Sequence, residues 1–424
     1  MALIDRKHDA QRCTRCSYCK MVAYENQRHP DFTAGCPAVK KRGFHAYASG
    51  GKFNITLSYL SGRTEITDGL LEAIYHCQMD GSCDISCKSV QELEPLENIR
   101  ELRTMCVEQG WGHPVHQMVI ENLRKEDNMM MSKKQDRGNW LQDLAPKDLT
   151  KEKAEVLFHA GCRYSFDEEL HPTLRTALSI LMNAGVDVGV MGRDEVCCGG
   201  QAYEQGYISE FTKFSEHNQE VVRQAGVKTI VTPCSDCYQH FKVTYDKMNK
   251  QTGVEVLHIT EYLLRLIQDG TIKFTKEVPM TVTYHDPCHL GRLAEPWVHW
   301  SGKEVKVLNQ VIVHDPPKKY RRGRNGVYDT PREVLKSIPG LNFVEMYRIR
   351  ESAWCCGSGG GVKDAYPEFA TWTGAERLKE ARHVGAEAIV SACGWCTRNF
   401  MDAAAETGDD IGIYDIVDLV QRAM

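Results

Sequence analysis

Val156-Leu-Phe-His-Ala-Gly-Cys162 is a short apolar run that ends in a cysteine, and Val282-Thr-Tyr-His-Asp-Pro-Cys288 repeats the phrase further along the chain. Each opens a block of one design. The first continues through Cys197-Cys198-Gly199 to Cys234-Ser-Asp-Cys237, the second through Cys355-Cys356-Gly357 to Cys393-Gly-Trp-Cys396. The runs before the later cysteines also match: Val227-Lys-Thr-Ile-Val-Thr-Pro-Cys234 parallels Ala386-Glu-Ala-Ile-Val-Ser-Ala-Cys393. The tails agree in kind, His258-Ile-Thr-Glu-Tyr-Leu-Leu-Arg265 beside Ile413-Tyr-Asp-Ile-Val-Asp-Leu-Val420. Short apolar runs of this length read as buried strands that present ligands at their C-terminal ends. Between them lie helical stretches; Ile208, Phe211, Phe214, Val221, Val222 and Ala225 recur at helical spacing as one core-facing stripe. Strand, ligand and helix in repetition predict two α/β units with mainly parallel sheets.

Seventeen of the 18 cysteines fall into four blocks. Soft thiolates in such number are what iron–sulfur clusters require. A disulfide framework belongs to short chains in oxidising compartments, and adjacent cysteines such as Cys197-Cys198 are awkward to bridge to each other. Structural zinc is the stronger rival, because Cys-x2-Cys pairs also bind it, but five cysteines per block exceed a tetrahedral site. Cys106 is left over and reads as a small buried apolar residue.

The 424 residues suggest about three domains. A hydrophobic share of 42% beside 26% charged residues is that of an ordinary globular protein. No run approaches the ~18 apolar residues of a membrane helix, and the first residues lack an apolar signal region. A net charge of −5 argues against nucleic acid as the main partner. Thiols that stay reduced until iron arrives point to the cytoplasm. Composition divides the chain into a mostly helical first domain (1–125), a linker without sustained periodicity (126–153), and the two repeats (154–275 and 276–424).

The first domain carries Cys13-x2-Cys16-x2-Cys19 with Cys36-Pro37 beyond it, then Cys77-x2-Asp80-x2-Cys83-x3-Cys87. In two-cluster ferredoxins the fourth cysteine of each motif ligates the other cluster. That rule assigns Cys13, Cys16, Cys19 and Cys87 to one cubane 4Fe-4S cluster, and Cys77, Asp80, Cys83 and Cys36 to the second. Asp80 stands where a cysteine is expected; it is either a harder, more labile ligand or no ligand at all, leaving a three-iron cluster. The gap from Cys19 to Cys36 is longer than usual, and Lys88 replaces the common proline after Cys87.

His159 and His285 each lie three residues before the first cysteine of a block. They read either as strand-end histidines bonded to backbone or as proton donors at the clusters, since imidazole titrates near neutrality. Gly199 and Gly357 follow the cysteine pairs and allow close backbone approach, with amides free to bond sulfur. The extra length of the second block holds Pro316-Pro317-Lys318-Lys319-Tyr320-Arg321-Arg322-Gly323-Arg324. Such a run is ordinarily a solvated loop; an acidic protein or a phosphorylated thiol such as coenzyme A would also suit it.

The two five-cysteine patterns, with Tyr284-His-Asp-Pro-Cys-His-Leu-Gly-Arg292, resemble the paired CCG domains of heterodisulfide reductases. With ferredoxin motifs ahead of them, the whole chain resembles the D-type catalytic polypeptide of those enzymes; glycolate and lactate oxidase iron–sulfur subunits share the architecture more loosely. The resemblance implies two noncubane 4Fe-4S clusters facing one another, held by Cys162, Cys197, Cys198, Cys234 and Cys237, and by Cys288, Cys355, Cys356, Cys393 and Cys396. It implies that a thiol or disulfide bound between them is oxidised or reduced, each sulfur being captured by an iron. His289 and Arg292 are then expected to bind an anionic part of that substrate. The partners it implies are a flavoprotein or a membrane cytochrome b type subunit, through which the chain reaches the membrane. The alternative is a non-catalytic subunit that links a flavoprotein or cytoplasmic enzyme complex to a membrane cytochrome and quinone pool.

Overall fold

The structure is a computed structural model that describes residues 2–308 and 311–424. Among the described residues, the chain ahead of Lys147 forms no strand, only helices, turns and one isolated bridge, Met21 to Ala34. The helices Ser49–Leu60, Asp68–Tyr75 and Pro95–Glu108 pack around Ile74, Leu102 and Met105. Cys106 lies fully buried in that cluster, as expected of a core residue.

The strands follow in chain order: β1 (Lys147–Asp148), β2 (Val156–Phe158), β3 (Val188–Val190), β4 (Thr229–Thr232), β5 (Glu255–His258), β6 (Met280–Tyr284), β7 (Lys303–Val307), β8 (Val311–Asp315), β9 (Leu341–Val344), β10 (Ala388–Ser391) and β11 (Gly412–Asp415). Two all-parallel sheets result, one ordered β1-β3-β2-β4-β5, the other β11-β10-β6-β9. They are built alike. Phe158 pairs with Val231 as Tyr284 pairs with Val390, and Thr232 pairs with His258 as Ser391 pairs with Asp415. His258 and Asp415 cap the helices Ile259–Gln268 and Ile416–Ala423, each donating its own backbone amide in return to an acidic third residue, Glu261 and Asp418. The repeat in sequence is thus a repeat in topology, with β7 and β8 added to the second unit as an antiparallel hairpin.

Parallel strands feed helices on the sheet faces, and their buried sides are continuous apolar surface. The helix Ile208–Ala225 buries Phe211, Phe214, Val222 and Ala225, while Ile208 and Val221 are only partly covered. The segment 126–153, which lacks periodicity, is not an open spacer. It buries Trp140 and Arg137, and its β1 extends the first sheet. Irregular backbone hides side chains here because Arg137 and Trp140 reach inward from short turns, which no helical or strand period records.

Candidate functional site

Each cysteine pattern is delivered by the ends of parallel strands, where open α/β sheets gather ligands. Cys162 begins the helix Cys162–Phe166 just after β2, and Cys234 is the N-cap of Ser235–Gln239 just after β4. Cys288 follows β6, and Cys393 is the N-cap of Gly394–Thr407 after β10. A helix N-terminus favours a thiolate over a thiol.

All ten of these cysteines are buried. Their thiols form two chains of contacts with the same order, Cys162–Cys197–Cys198–Cys237–Cys234 and Cys288–Cys355–Cys356–Cys396–Cys393. Contact with Cys197 lowers Cys198 below the usual thiol range, and contact with Cys355 does the same to Cys288 and to Cys356, while burial and proton sharing raise Cys162, Cys197 and Cys355. Both glycines play one part. The Gly199 amide donates to Cys197 Sγ over 3.3 Å, and the Gly357 amide donates to Cys355 Sγ over 3.3 Å. Their φ values of +79° and +110° suit glycine. Gly161 leaves similar room, since a Cβ there would stand 2.8 Å from Cys237 Sγ. Soft, converging thiolates with a backbone cleared around them fit iron–sulfur clusters.

Among the N-terminal cysteines, Cys13 interacts electrostatically with Cys16, Cys19 and Cys87; Cys36 interacts with Cys77 and Asp80, and Cys83 with both of these and with Cys19. Burial pushes Cys36 and Cys87 up to about 12. Cys16 alone among the cysteines is exposed. Asp80 is buried, and burial holds its carboxyl above the usual range although Arg292 opposes this. Its Oδ1 accepts from the Ser82 amide at 3.1 Å and its Oδ2 from Arg292 at 3.3 Å.

Arg292 corrects an expectation. Its guanidinium also donates to the carbonyls of Asp80 (2.6 Å), Glu351 (2.8 Å) and Ala353 (2.7 Å), inside the protein. It staples Asp80 to the second repeat and is not presented to a substrate anion. His289 is buried likewise, between Cys288 Sγ (3.3 Å) and Glu204 (2.7 Å). Among the described residues, neither histidine ahead of the blocks bonds backbone through its ring. His159 faces Glu195, with 3.6 Å between Nδ1 and a carboxylate oxygen. His285 accepts from Arg377 at 3.3 Å and lies with Cys356 and Cys396, ligand atoms within 4.8 Å of one another. In the basic loop Arg321, Arg322 and Arg324 are tied to protein groups, whereas Lys318 and Lys319 line a cavity with Trp297 and Trp300.

Three features escaped sequence reasoning. Arg137 donates to Cys162 Sγ at 3.2 Å and to Glu195 at 2.8 Å, and Glu195 accepts from the amides of Ala160 and Gly161. Arg103, fully buried, donates to the carbonyls of Cys77 (2.7 Å), Gly360 (2.7 Å) and Glu204 (3.1 Å), joining the helical region to both repeats. The run Gly359-Gly360-Gly361 lies against Cys77, Gln78 and His116 so closely that a Cβ at any of the three would overlap them.

Two parallel sheets that converge ten cysteines, beside a helical region with two further cysteine groups, define an iron–sulfur electron-transfer protein. A cysteine-rich domain model called CCG matches residues 156–242 and 311–401, the second match beginning after Cys288, and a 4Fe-4S dicluster domain matches residues 9–90. The chain is 31% identical over 426 residues to the D-type polypeptide of dihydromethanophenazine:CoB–CoM heterodisulfide reductase from Methanosarcina mazei, covering 97% of this chain and 93% of that protein. It is 28% identical to EtfAB:quinone oxidoreductase of Syntrophomonas wolfei, over 83% of this chain and 47% of that protein. The chain belongs to the D-type family of heterodisulfide reductase polypeptides. It is an iron–sulfur oxidoreductase or a subunit of one. No helix among the described residues is long and apolar enough to cross a membrane.

Proposed function

We propose that this chain carries electrons through two cubane clusters to two noncubane clusters that reduce, or form, a disulfide. When bound, such clusters supply electron storage and soft iron for sulfur. The observation that carries the reading is the equivalence of the two repeats: both hold five buried cysteines with the same contacts, and neither has lost a ligand. Cys77 and Asp80 lie against Gly360 and Arg292 of the second repeat, which supports transfer from the helical region into that repeat. Cys16, exposed, marks the face where a redox partner subunit docks, and a membrane-bound partner there would hold the chain at the bilayer.

The residues between the repeats govern access. Cys234 and Cys393 are close enough to interact electrostatically, and Ser235 donates to the Ala392 carbonyl over 2.6 Å. A cavity of about 50 Å³ reaches Tyr203, Glu204 and His240, and shares Glu97, Trp297 and Arg321 with an outer cavity of about 270 Å³ lined by Lys318 and Lys319. The reading assigns a small thiol or disulfide this approach as far as Glu204 and His240, with the lysines of the outer cavity for an anionic tail. The burial of all ten cysteines favours one rival, a conduit that passes electrons between protein partners and touches no thiol. Single replacement of Cys198 or Cys356 separates the two: loss of thiol–disulfide turnover with the N-terminal clusters still reducible supports catalysis, whereas loss only of transfer between partner proteins supports the conduit.

A further inference from the structure

Two carboxylates and two imidazoles meet between the repeats, beside the cysteine sets: His289 follows Cys288, and Asp236 lies between Cys234 and Cys237. Glu204 comes from the helix Gly200–Gln205, Asp236 from the helix Ser235–Gln239, His240 from the π-helical turn that continues it, and His289 from the loop after β6. All four are buried. His289 Nε2 is 2.7 Å from Glu204 Oε1 and 3.3 Å from Asp236 Oδ1, and His240 Nε2 is 3.4 Å from the same Asp236 oxygen. Glu204, His240 and His289 each offer an atom within 4.8 Å of the others.

The outer sides of Glu204, His240 and His289 are already spoken for. His240 Nδ1 bonds the Thr244 hydroxyl at 2.9 Å, and His289 Nδ1 faces Cys288 Sγ at 3.3 Å. Glu204 Oε2 accepts from the Gly360 amide at 3.1 Å, while Asp236 Oδ1, the oxygen that faces both imidazoles, also accepts from Gln201 at 3.5 Å. What remains points inward, and His240 Nε2 makes no hydrogen bond there. Ligands oriented from outside with free atoms converging are the mark of a metal site. Backbone has been shaped for it: a Cβ on Gly200 would overlap the His240 ring, and residues His240–Thr244 form a turn of π-helix, a feature common at functional sites.

Charge allows an ion here. Buried carboxylates are paired with cations or coordinate metals. No lysine or arginine hydrogen-bonds either carboxylate among the described residues, and the groups that can offset them there are the His289 and His240 rings. The cavity of about 50 Å³ that ends at Glu204 and His240 gives room for an ion with a water, and a path of entry. We propose that Glu204, Asp236, His240 and His289 bind one first-row divalent cation, separate from the iron–sulfur clusters. Two imidazoles with two carboxylates suit manganese, iron(II), cobalt or zinc better than calcium or magnesium. The proposal stands whether the neighbouring clusters cleave a disulfide or only pass electrons.

The test uses full-length protein purified anaerobically, stripped of exchangeable metal with EDTA and titrated with Mn²⁺ while electron paramagnetic resonance follows the free ion. Iron and acid-labile sulfide are counted before and after, so cluster loss is seen separately. Wild type is expected to bind about one Mn²⁺ per chain. Glu204→Gln and His240→Ala should weaken binding by at least tenfold. Thr244→Val, which removes only the hydroxyl that orients His240, should weaken it about 10- to 100-fold, the usual cost of losing such a partner. Co²⁺ should compete at the same stoichiometry and develop a visible spectrum. Wild type that binds neither ion with its iron count intact overturns the proposal, and identifies the four groups as an imidazolium–carboxylate network. Variants that keep their clusters and bind like wild type overturn it equally.

Discussion

Arg137 donates to the sulfur of Cys162 across 3.2 Å, and no other arginine of the chain bonds a cysteine side chain among the described residues. Its other partners are the Glu195 carboxylate and the Asp127 carbonyl, all inside the protein. A fixed positive charge beside one ligand stabilises the thiolate. In the second repeat the His289 ring takes the corresponding place, 3.3 Å from Cys288 Sγ.

Arg137→Met should therefore act on the first repeat alone. Removing one partner of a buried pair costs roughly 3–5 kcal/mol because Glu195 is left without its cation. The expected result is a lower melting temperature and a cluster in the first repeat that is harder to reduce, with the second unaffected. Redox titration followed by paramagnetic resonance checks this; equal shifts in both repeats would count against it.

Gly357→Ala meets two obstacles at once. The φ of +110° is strained for alanine, and the new Cβ would overlap the Ala370 carbonyl oxygen. A loss of about 2–4 kcal/mol is expected, with a reduced iron content in the second repeat. Gly185→Ala, also at positive φ but with open space around the Cβ, isolates the strain alone and should cost less. Thermal unfolding of the two variants compares them directly.

Much of this was legible in the sequence. The apolar runs ending at Cys162, Cys234, Cys288 and Cys393 became parallel strands because buried strands and ligand-bearing loops leave a simple local pattern. Arg137 was not legible, since it sits in 126–153, where no period marks a buried side chain, and its partner Glu195 is remote in sequence. The substrate role expected of Arg292 rested on the family resemblance, whereas its partners Asp80, Glu351 and Ala353 come together only in the fold. Glu204 and His240 lie on helices without any motif.

Asp80 gives a test of ligand hardness. Its carboxylate is held by the Ser82 amide and Arg292 beside Cys36, Cys77 and Cys83. An oxygen corner is weaker for iron than thiolate, so mild oxidation should yield a three-iron paramagnetic signal. Asp80→Cys is expected to suppress that signal at least several-fold. An equally strong signal in the variant would show that the labile corner lies elsewhere.

Cofactor content follows from four cysteine groups. Anaerobically purified protein should hold about sixteen cluster irons with matching sulfide, if each cluster has four. Two or more zinc ions with few irons would instead mark the cysteine groups as zinc sites.

The central claim is that a thiol or disulfide meets the paired cysteine sets directly. The most direct measurement is the paramagnetic spectrum of the oxidised wild-type protein titrated with chemically varied thiols, coenzyme A among them. The account predicts that at least one thiol produces a new signal that saturates, and that Cys198→Ala or Cys356→Ala abolishes it while the N-terminal clusters still accept electrons. A spectrum unchanged by every thiol, with transfer between partner proteins intact, would contradict the account and leave an electron conduit.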